Sequence, residues 1–516
     1  MMGDKYFIGI DSGTSVIKAV VFSMDGRELG VHSIPIPNDA EDPSTCYSQD
    51  MNQIWDFAKI CIAQSIRKAG VDPGSIIGIG ITGQGAGTWL IDENGEPAYS
   101  GICWCDGRAI GLAERMHAEG IAEEVYKAVG NTVYSGSQGV QLRWLKENKP
   151  EILAKATTAF HVKDWLFFKL TGIISCEMTD ESLPFINMAE RRLEPKSFDL
   201  HGIPECIEKK PAILEPEENK GVIKKELADE FGLNADVLVT GGPMDCVACP
   251  LGVGTIEPGQ VCSTIGTAGI HVLTMDKADT RPMMVAGCLT HAPRDRWIRL
   301  MDAISATPSI EWFIKNFEGE DIERAKQAGI STYSYMDQLI SEIPIGCDGL
   351  TFHPYLAPAG ERAPFVNGNA KGSFFGISYR HTRAHFLRAV YEGVAFAALD
   401  CYKHFPIPIR EIRMAGGGSN SAVWCQMFAD MAGIPVRVPE GAEFGAKGAV
   451  MVNGVALGVY KDYRDAIQKT VRINRYYEPD MEKHRLYEKH YEIYLMLRKS
   501  FQSAWNERAK LLAGLK

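Results

Sequence analysis

The chain has 516 residues, more than one hydrophobic core comfortably fills, so two large domains are expected. Its 45% apolar and 23% charged residues argue against long disorder, and a formal charge of −11 with no basic arm or stripe argues against a nucleic-acid partner. The opening MMGDKYFIGIDSG lacks the parts of a secretory leader, and no stretch approaches ~18 uninterrupted apolar residues, so a cytoplasmic chain without a membrane span is expected.

Residues 6–10, YFIGI, read as a short apolar strand. A polar turn, Asp11-Ser12-Gly13-Thr14-Ser15, interrupts it, VIKAVVF resumes a strand, and Asp25-Gly26 supplies a hairpin turn. This is strand–turn–strand, which argues against both a Rossmann fingerprint and a Walker loop. By itself the turn also reads as a structural Asx turn. Its chemical reading is a cradle for phosphate and a cation: Gly13 brings main-chain amides close, Thr14 and Ser15 add hydroxyls, and Asp11 holds Mg²⁺ through water. Lys18 follows, but its direction depends on strand alternation, and it is not included in the site.

Residues 52–68 have the spacing of an amphipathic helix, and IIGIGITG at 76–83 reads as a buried strand. That strand ends in the tip Gly83-Gln84-Gly85-Ala86-Gly87, where open α/β sheets place ligands. The run WCDGRA brings Trp104, Asp106 and Arg108 together. With Gln84 they can read hydroxyl groups and cover a carbon chain, and a solvated turn with one packed tryptophan is the plainer alternative. Helix-like segments alternate with turns from 105 to 236, and VLVTGG at 237–242 is another buried strand. Asp245 follows it. It reads either as a turn or cap residue, or as a base that takes the proton of an attacking hydroxyl. The domain junction is expected just after it, giving residues 1–246 and 247–516.

The second half repeats the opening. QVCSTIGTAGIHVL at 260–273 is again strand, glycine turn, strand, and Gly266-Thr267-Ala268-Gly269 offers a second phosphate cradle. Two such loops can hold opposite sides of a triphosphate. The strand in EIRMAGGGSN ends in Gly416, Gly417 and Gly418, followed by Ser419 and Asn420. Three glycines suit either tight strand–helix packing or close approach of a flat ligand such as adenine, with Asn420 at its polar edge. Helices are expected at 421–433, 444–458 and 482–514, and a strand at 434–438. The thirteen cysteines are odd in number and scattered, so buried thiols are expected in place of disulfides. The pairs Cys103/Cys105 and Cys246/Cys249 lack the further ligands of a zinc site.

Taken together, FIGIDSGTSVIKAVVF, GITGQGAGTWLID, WCDGRA, GGPMDCVA, STIGTAG and MAGGGSNSAVWCQMFADMAG resemble the FGGY carbohydrate kinase family over nearly the whole chain. The resemblance implies an α/β, two-domain fold of the actin, Hsp70 and hexokinase type (ribonuclease H-like), with a catalytic cleft. It also implies ATP, Mg²⁺, a small sugar or polyol substrate and, commonly, a homodimer. Asp245 would be the base and lie at the acceptor. Asp11 and Asp245 would face the metal. Gly13, Thr14, Ser15 and Gly266 to Gly269 would hold phosphate, and Gly416, Gly417, Gly418 and Asn420 the adenosine. The region Gln84-Gly85-Ala86 lacks the Arg-Glu pair of glycerol kinases and the Met-His pair of D-xylulokinases. TGQGAGTWLID resembles the erythritol and L-xylulose kinase branches. A four- or five-carbon polyol or ketose is therefore expected, erythritol first, with L-xylulose, D-xylulose or another pentulose as alternatives. An actin- or Hsp70-like ATPase that drives a binding partner, and a sugar sensor on a kinase scaffold, are the readings from other classes.

Overall fold

A computed structural model describes residues 4–285 and 287–514. In chain order, β1 (Tyr6–Ser12), β2 (Val16–Ser23) and β3 (Glu28–Pro35) form an antiparallel meander, turning at Gly26 with φ +80°. Helix α1 (Met51–Ala69) is capped by the Asp50 side chain, which accepts from the amides of Asn52 and Gln53, and it ends at left-handed Gly70. It packs on β2 and β3. Next come β4 (Ile76–Gly83), α2 (Val162–Thr171), the single turn α3 (Met178–Glu181), β5 (Lys220–Val222), β6 (Leu238–Gly241) and α4 (Asp245–Val253). The sheet order is β5-β6-β4-β1-β2-β3, with β6, β4 and β1 parallel.

The second half begins with β7 (Gln260–Ile265) and β8 (Gly269–Met275), then α5 (Thr307–Phe317), α6 (Arg383–Lys403), β9 (Glu411–Ala415), α7 (Ala422–Ala432) and β10 (Val436–Pro439). After α8 (Phe444–Ala456) the chain ends with β11 (Ile473–Tyr477) and α9 (Met481–Ala513). Strand β7 pairs antiparallel with β8 and parallel with β9, β9 is parallel to β10, and β10 is antiparallel to β11. The first sheet has the same pattern: hairpin β1–β2, two parallel neighbours β4 and β6, and an antiparallel edge β5. The repetition legible at the two glycine turns therefore extends to the strand pairing.

The chain packs into two compact units. One holds residues up to Pro258, Thr274–Arg299 and Gly441–Arg472, and the other holds Gly259–Leu273, Leu300–Glu440 and the residues from Ile473 on. The changeover expected after residue 246 falls inside α4, and α8 returns to the first unit. Helix α8 is rich in small residues because it lies against backbone. A Cβ on Gly80 of β4 would come 2.3 Å from the Ala449 carbonyl oxygen, and one on Gly448 would come 2.0 Å from that of Ala248 in α4. Both faces of the first sheet are covered. Ile8, Ile10 and Ile81 join the core under α1 and α2, while Phe7, Val20 and Phe22 alternate to the side of Met451 and Tyr460. In the second unit α6 is buried from Leu387 to Tyr402, and α9 covers it with Tyr487, Tyr491 and Tyr494. None of the thirteen cysteines is in a disulfide. Among the described residues no helix is long and apolar enough to cross a membrane.

Candidate active site

In the first unit the charged centre forms where β1 ends. The β1–β2 register sets Asp11 directly opposite Lys18, so both side chains leave the same face. Lys18 Nζ lies 3.6 Å from Asp11 Oδ2 and 2.6 Å from Oε2 of Glu443, the residue before α8. A Cβ on Gly445 would sit 2.9 Å from Asp11 Oδ2, so the first turn of α8 closes on this carboxylate. Burial, helped by the charge of Glu443, holds the Asp11 carboxyl above its ordinary range, and Lys18 opposes the shift without cancelling it.

Asp245 is the first residue of α4, and its Oδ1 accepts the Cys246 amide at 2.6 Å. The residue keeps a partly exposed surface in densely packed surroundings. Burial first, then the negative charges of Asp11 and Asp180, push its carboxyl up to about 7. One lysine thus serves Asp11 and Glu443, and nothing cationic is among the main influences on Asp245. This donor set fits a divalent cation. Among the described residues no group of three His, Cys, Asp or Glu forms a protein cage. The fit is therefore to a hard ion held through one or two carboxylates, with phosphate oxygens and water completing its shell.

The hydroxyl of Thr14 accepts from Trp104 Nε1 at 2.9 Å and donates to Gln84 Oε1 at 3.3 Å. Gln84 Nε2 donates to Gln49 Oε1 at 2.9 Å, and Gln49 Nε2 returns to the Thr14 carbonyl at 2.7 Å. Thr14, Gln84 and Trp104, expected from separate motifs, are therefore one network. Gly13 spends its amide on the Val16 carbonyl at 3.0 Å, which closes the turn, and Ser15 is exposed.

Asp106 and Arg108 depart from the expectation that both read a hydroxylated ligand. Arg108 grips Asp106 with two hydrogen bonds of 2.8 and 2.9 Å, and Asp106 Oδ2 also accepts the Tyr47 amide at 2.6 Å. Asp106 is fully buried, and the guanidinium lies over Trp144 and Tyr99 and bonds Ser48 Oγ. The two charges neutralise each other and hold the 45–48 segment; their polar atoms are already engaged.

In the second unit, the loop between β7 and β8 holds Gly266, Thr267, Ala268 and Gly269. Its carbonyls are tied to the start of α5: the Ala306 amide donates to Thr267 O, and the Thr307 amide and hydroxyl donate to Gly266 O at 2.9 and 2.8 Å. The Gly266 amide donates to the Ala268 carbonyl at 3.1 Å and closes the turn, and a Cβ on Gly266 would meet no atom within 4 Å. The three glycines after β9 have three different reasons. Gly416 has φ +78° and approaches Ile265 O, and Gly418 packs on Ile265 and Trp424. Of the three, only at Gly417 would an added Cβ meet no atom within 4 Å, and Asn420 is exposed beyond it. Ile265 precedes Gly266, so the second loop and the glycine cluster are neighbours.

Lys18, Gln49, Glu443 and Thr307 were not selected from sequence. Counting across the hairpin from the Gly13 turn places residue 18 opposite residue 11, so Lys18 was within reach. The other three carry no local signal.

Residues 6–252 match the FGGY family of carbohydrate kinases, N-terminal domain, and residues 261–457 match its C-terminal domain. The chain is 29% identical to the erythritol kinase of Brucella abortus (strain 2308), over 97% of each protein. It is 30% identical to the L-xylulose/3-keto-L-gulonate kinase of Escherichia coli (strain K12), over 95% of this chain and 96% of that one. The ligand-bound xylulose kinase from Lactobacillus acidophilus shares the fold, with a TM-score of 0.88 over 98% of this chain and 99% of the other at 22% identity.

Proposed function

Because this chain belongs to the FGGY family of carbohydrate kinases, we propose that it transfers the γ-phosphoryl group of MgATP to a hydroxyl of a four- or five-carbon polyol or ketose, with erythritol the first candidate. The observation that carries this reading is Asp245, a carboxylate pushed up to about 7 beside Asp11 at the head of α4. The acceptor oxygen attacks phosphorus, its proton passes to Asp245, and the bond from phosphorus to the bridging oxygen breaks as ADP leaves. Mg²⁺, faced by Asp11, supplies charge neutralisation at the phosphates. Thr14, Ser15 and the loop Gly266 to Gly269 bind phosphate oxygens, and Gly417 with Asn420 borders the adenosine.

Trp104 and Gln84 line the acceptor side. Gln84 offers no charge there, which suits a neutral polyol and leaves little to hold an acid. The similarity to the B. abortus enzyme supports erythritol, and that to the E. coli enzyme supports L-xylulose as the second reading. The test is a coupled ADP-release screen on erythritol, L-xylulose, D-xylulose, D-ribulose, L-ribulose, xylitol and glycerol, with the product identified by mass and NMR. Erythritol is expected to exceed glycerol in kcat/KM by at least ~10-fold, the discrimination available from one carbon unit. ADP release without a phosphorylated acceptor would overturn transfer.

The Asp245 shift also sets a pH dependence. The base works ionised, so activity is lost as pH falls through its pKa. At saturating acceptor, kcat/KM for MgATP reports the enzyme before the nucleotide enters. Its acid limb is expected near pH 7, far above an ordinary aspartate, and should fall about tenfold per unit below that. A flat profile from pH 5 to 8 would contradict it.

A further inference from the structure

We propose that the turn α3 is a positioning element that ties the acceptor loop to the segment carrying Asp245, Asp180 holding Ala86 and Thr179 holding Met244. The inference rests on the reading of Asp245 as the base.

Ala86, in the glycine-rich tip after β4, has φ +59°. A side chain in this left-handed conformation costs roughly 1–2 kcal/mol, so its surroundings must enforce it. Both flanking peptide groups are gripped: the Ala86 amide donates to Asp180 Oδ1 at 2.9 Å, and the Ala86 carbonyl accepts from His161 Nδ1–H at 3.2 Å. On the other side of α3, the Met244 amide donates to Thr179 Oγ1 at 3.1 Å, one residue before Asp245. The Thr179 hydroxyl is oriented because it donates to Glu177 Oε2 at 2.7 Å, and its own amide donates to Glu177 Oε1 at 2.8 Å. A single helical turn therefore bonds the loop bearing Gln84 and the turn bearing Asp245.

The groups behind α3 are titratable and buried, and burial pushes the Glu177 carboxyl up to about 8. Lys163 of α2 lies 2.9 Å from Asp164, 3.5 Å from Glu177 and 3.7 Å from Asp180, and His161 reaches Asp180 and Glu181 at 3.5 and 3.3 Å. Lys210 closes the set on Glu181 at 2.6 Å. Buried ion pairs of this kind are often no more stabilising than apolar residues of the same volume. Geometry is what they deliver here: a fixed carboxylate for the strained amide and a fixed hydroxyl for the Met244 amide. Asp180 Oδ2 is left without a hydrogen bond, and the Asp180 charge reaches Asp245 in α4 and helps to raise it. The titratable groups facing Asp180 are thus His161, Lys163 and Asp164 from α2 and its approach, Glu177 and Glu181 beside it, and Asp245.

The test compares Thr179→Val, Thr179→Ser, Asp180→Ala and the double variant Asp180→Ala/Ala86→Gly with wild type on erythritol and L-xylulose. MgATP binding by calorimetry and the melting temperature are recorded for each. Thr179→Val is expected to lose at least ~10-fold in kcat with MgATP affinity kept within ~3-fold, while Thr179→Ser, which keeps the hydroxyl, stays within ~3-fold of wild type. Asp180→Ala, which removes the oxygen that accepts the Ala86 amide, is expected to raise the acceptor KM at least ~10-fold with kcat less affected. Adding Ala86→Gly should recover part of the KM, because glycine takes φ +59° without the clamp. Wild-type kcat in Thr179→Val, or a folded Asp180→Ala with a wild-type acceptor KM or with no recovery by Ala86→Gly, overturns the proposal. If Asp180→Ala does not fold, the Thr179 pair decides alone. Normal turnover in Asp245→Asn overturns the base reading; an impaired Asp245→Asn beside a normal Thr179→Val overturns the clamp.

Discussion

Asp245→Asn is expected to lower kcat by about 10²–10⁴-fold while leaving MgATP affinity within ~3-fold of wild type. Asparagine keeps the shape and the bond from the Cys246 amide, and removes only the capacity to take a proton. The loss therefore belongs in the chemical step. A folding defect is separable by sign. With the Asp245 pKa raised to about 7, the folded state binds a proton more tightly than the unfolded chain, so this carboxylate reduces stability as pH rises from the ordinary aspartate range through 7. Asparagine removes that penalty, and the variant should melt no lower than wild type at pH 8. Turnover near wild type in a folded Asp245→Asn protein would remove the proposed base from the mechanism.

Gly417→Val is expected to weaken MgATP binding about 10- to 100-fold, roughly 1.4–2.7 kcal/mol, and to leave the acceptor's own affinity and the melting temperature near wild type. The contrast between neighbouring glycines makes this informative. Side chains at Gly416 and Gly418 would strike Ile265, and Gly416 also needs its positive φ, so changes there damage the fold. At Gly417 no atom lies within 4 Å of an added Cβ, and the helical turn Gly417–Asn420 accepts a side chain. An isopropyl group on this surface excludes a flat ligand from the backbone and disturbs nothing else. Unchanged nucleotide affinity would remove adenosine from this face; parallel loss of stability and of both affinities would assign all three glycines to packing.

The residues differ in how far sequence reasoning reaches them. The two strand–turn–strand units, the glycine tip after β4 and the helix after Ser421 follow from preferences that act over a few residues: alternation, turn chemistry, and a serine accepting the Trp424 amide. Local rules also brought Gly13, Thr14, Gln84 and Trp104 to notice. They misjudged Asp106 and Arg108, because two polar residues in a run look the same whether they face solvent, a ligand or each other. The small-residue helix α8 was legible as a close-packing helix, but the strands and the helix α4 it meets lie far away in the chain.

The amino-acid order by itself determined the family, the strand and helix pattern, and the placing of glycine turns, since these depend on backbone preferences within a few residues. Tertiary structure decided the electrostatics. Lys18 shared between Asp11 and Glu443, Asp245 raised by burial and then by Asp11 and Asp180, and the strained Ala86 held from α2 and α3 all join residues far apart in the chain. Charge interactions and desolvation act through space, so the state of a carboxylate is defined only once its distant neighbours are in place.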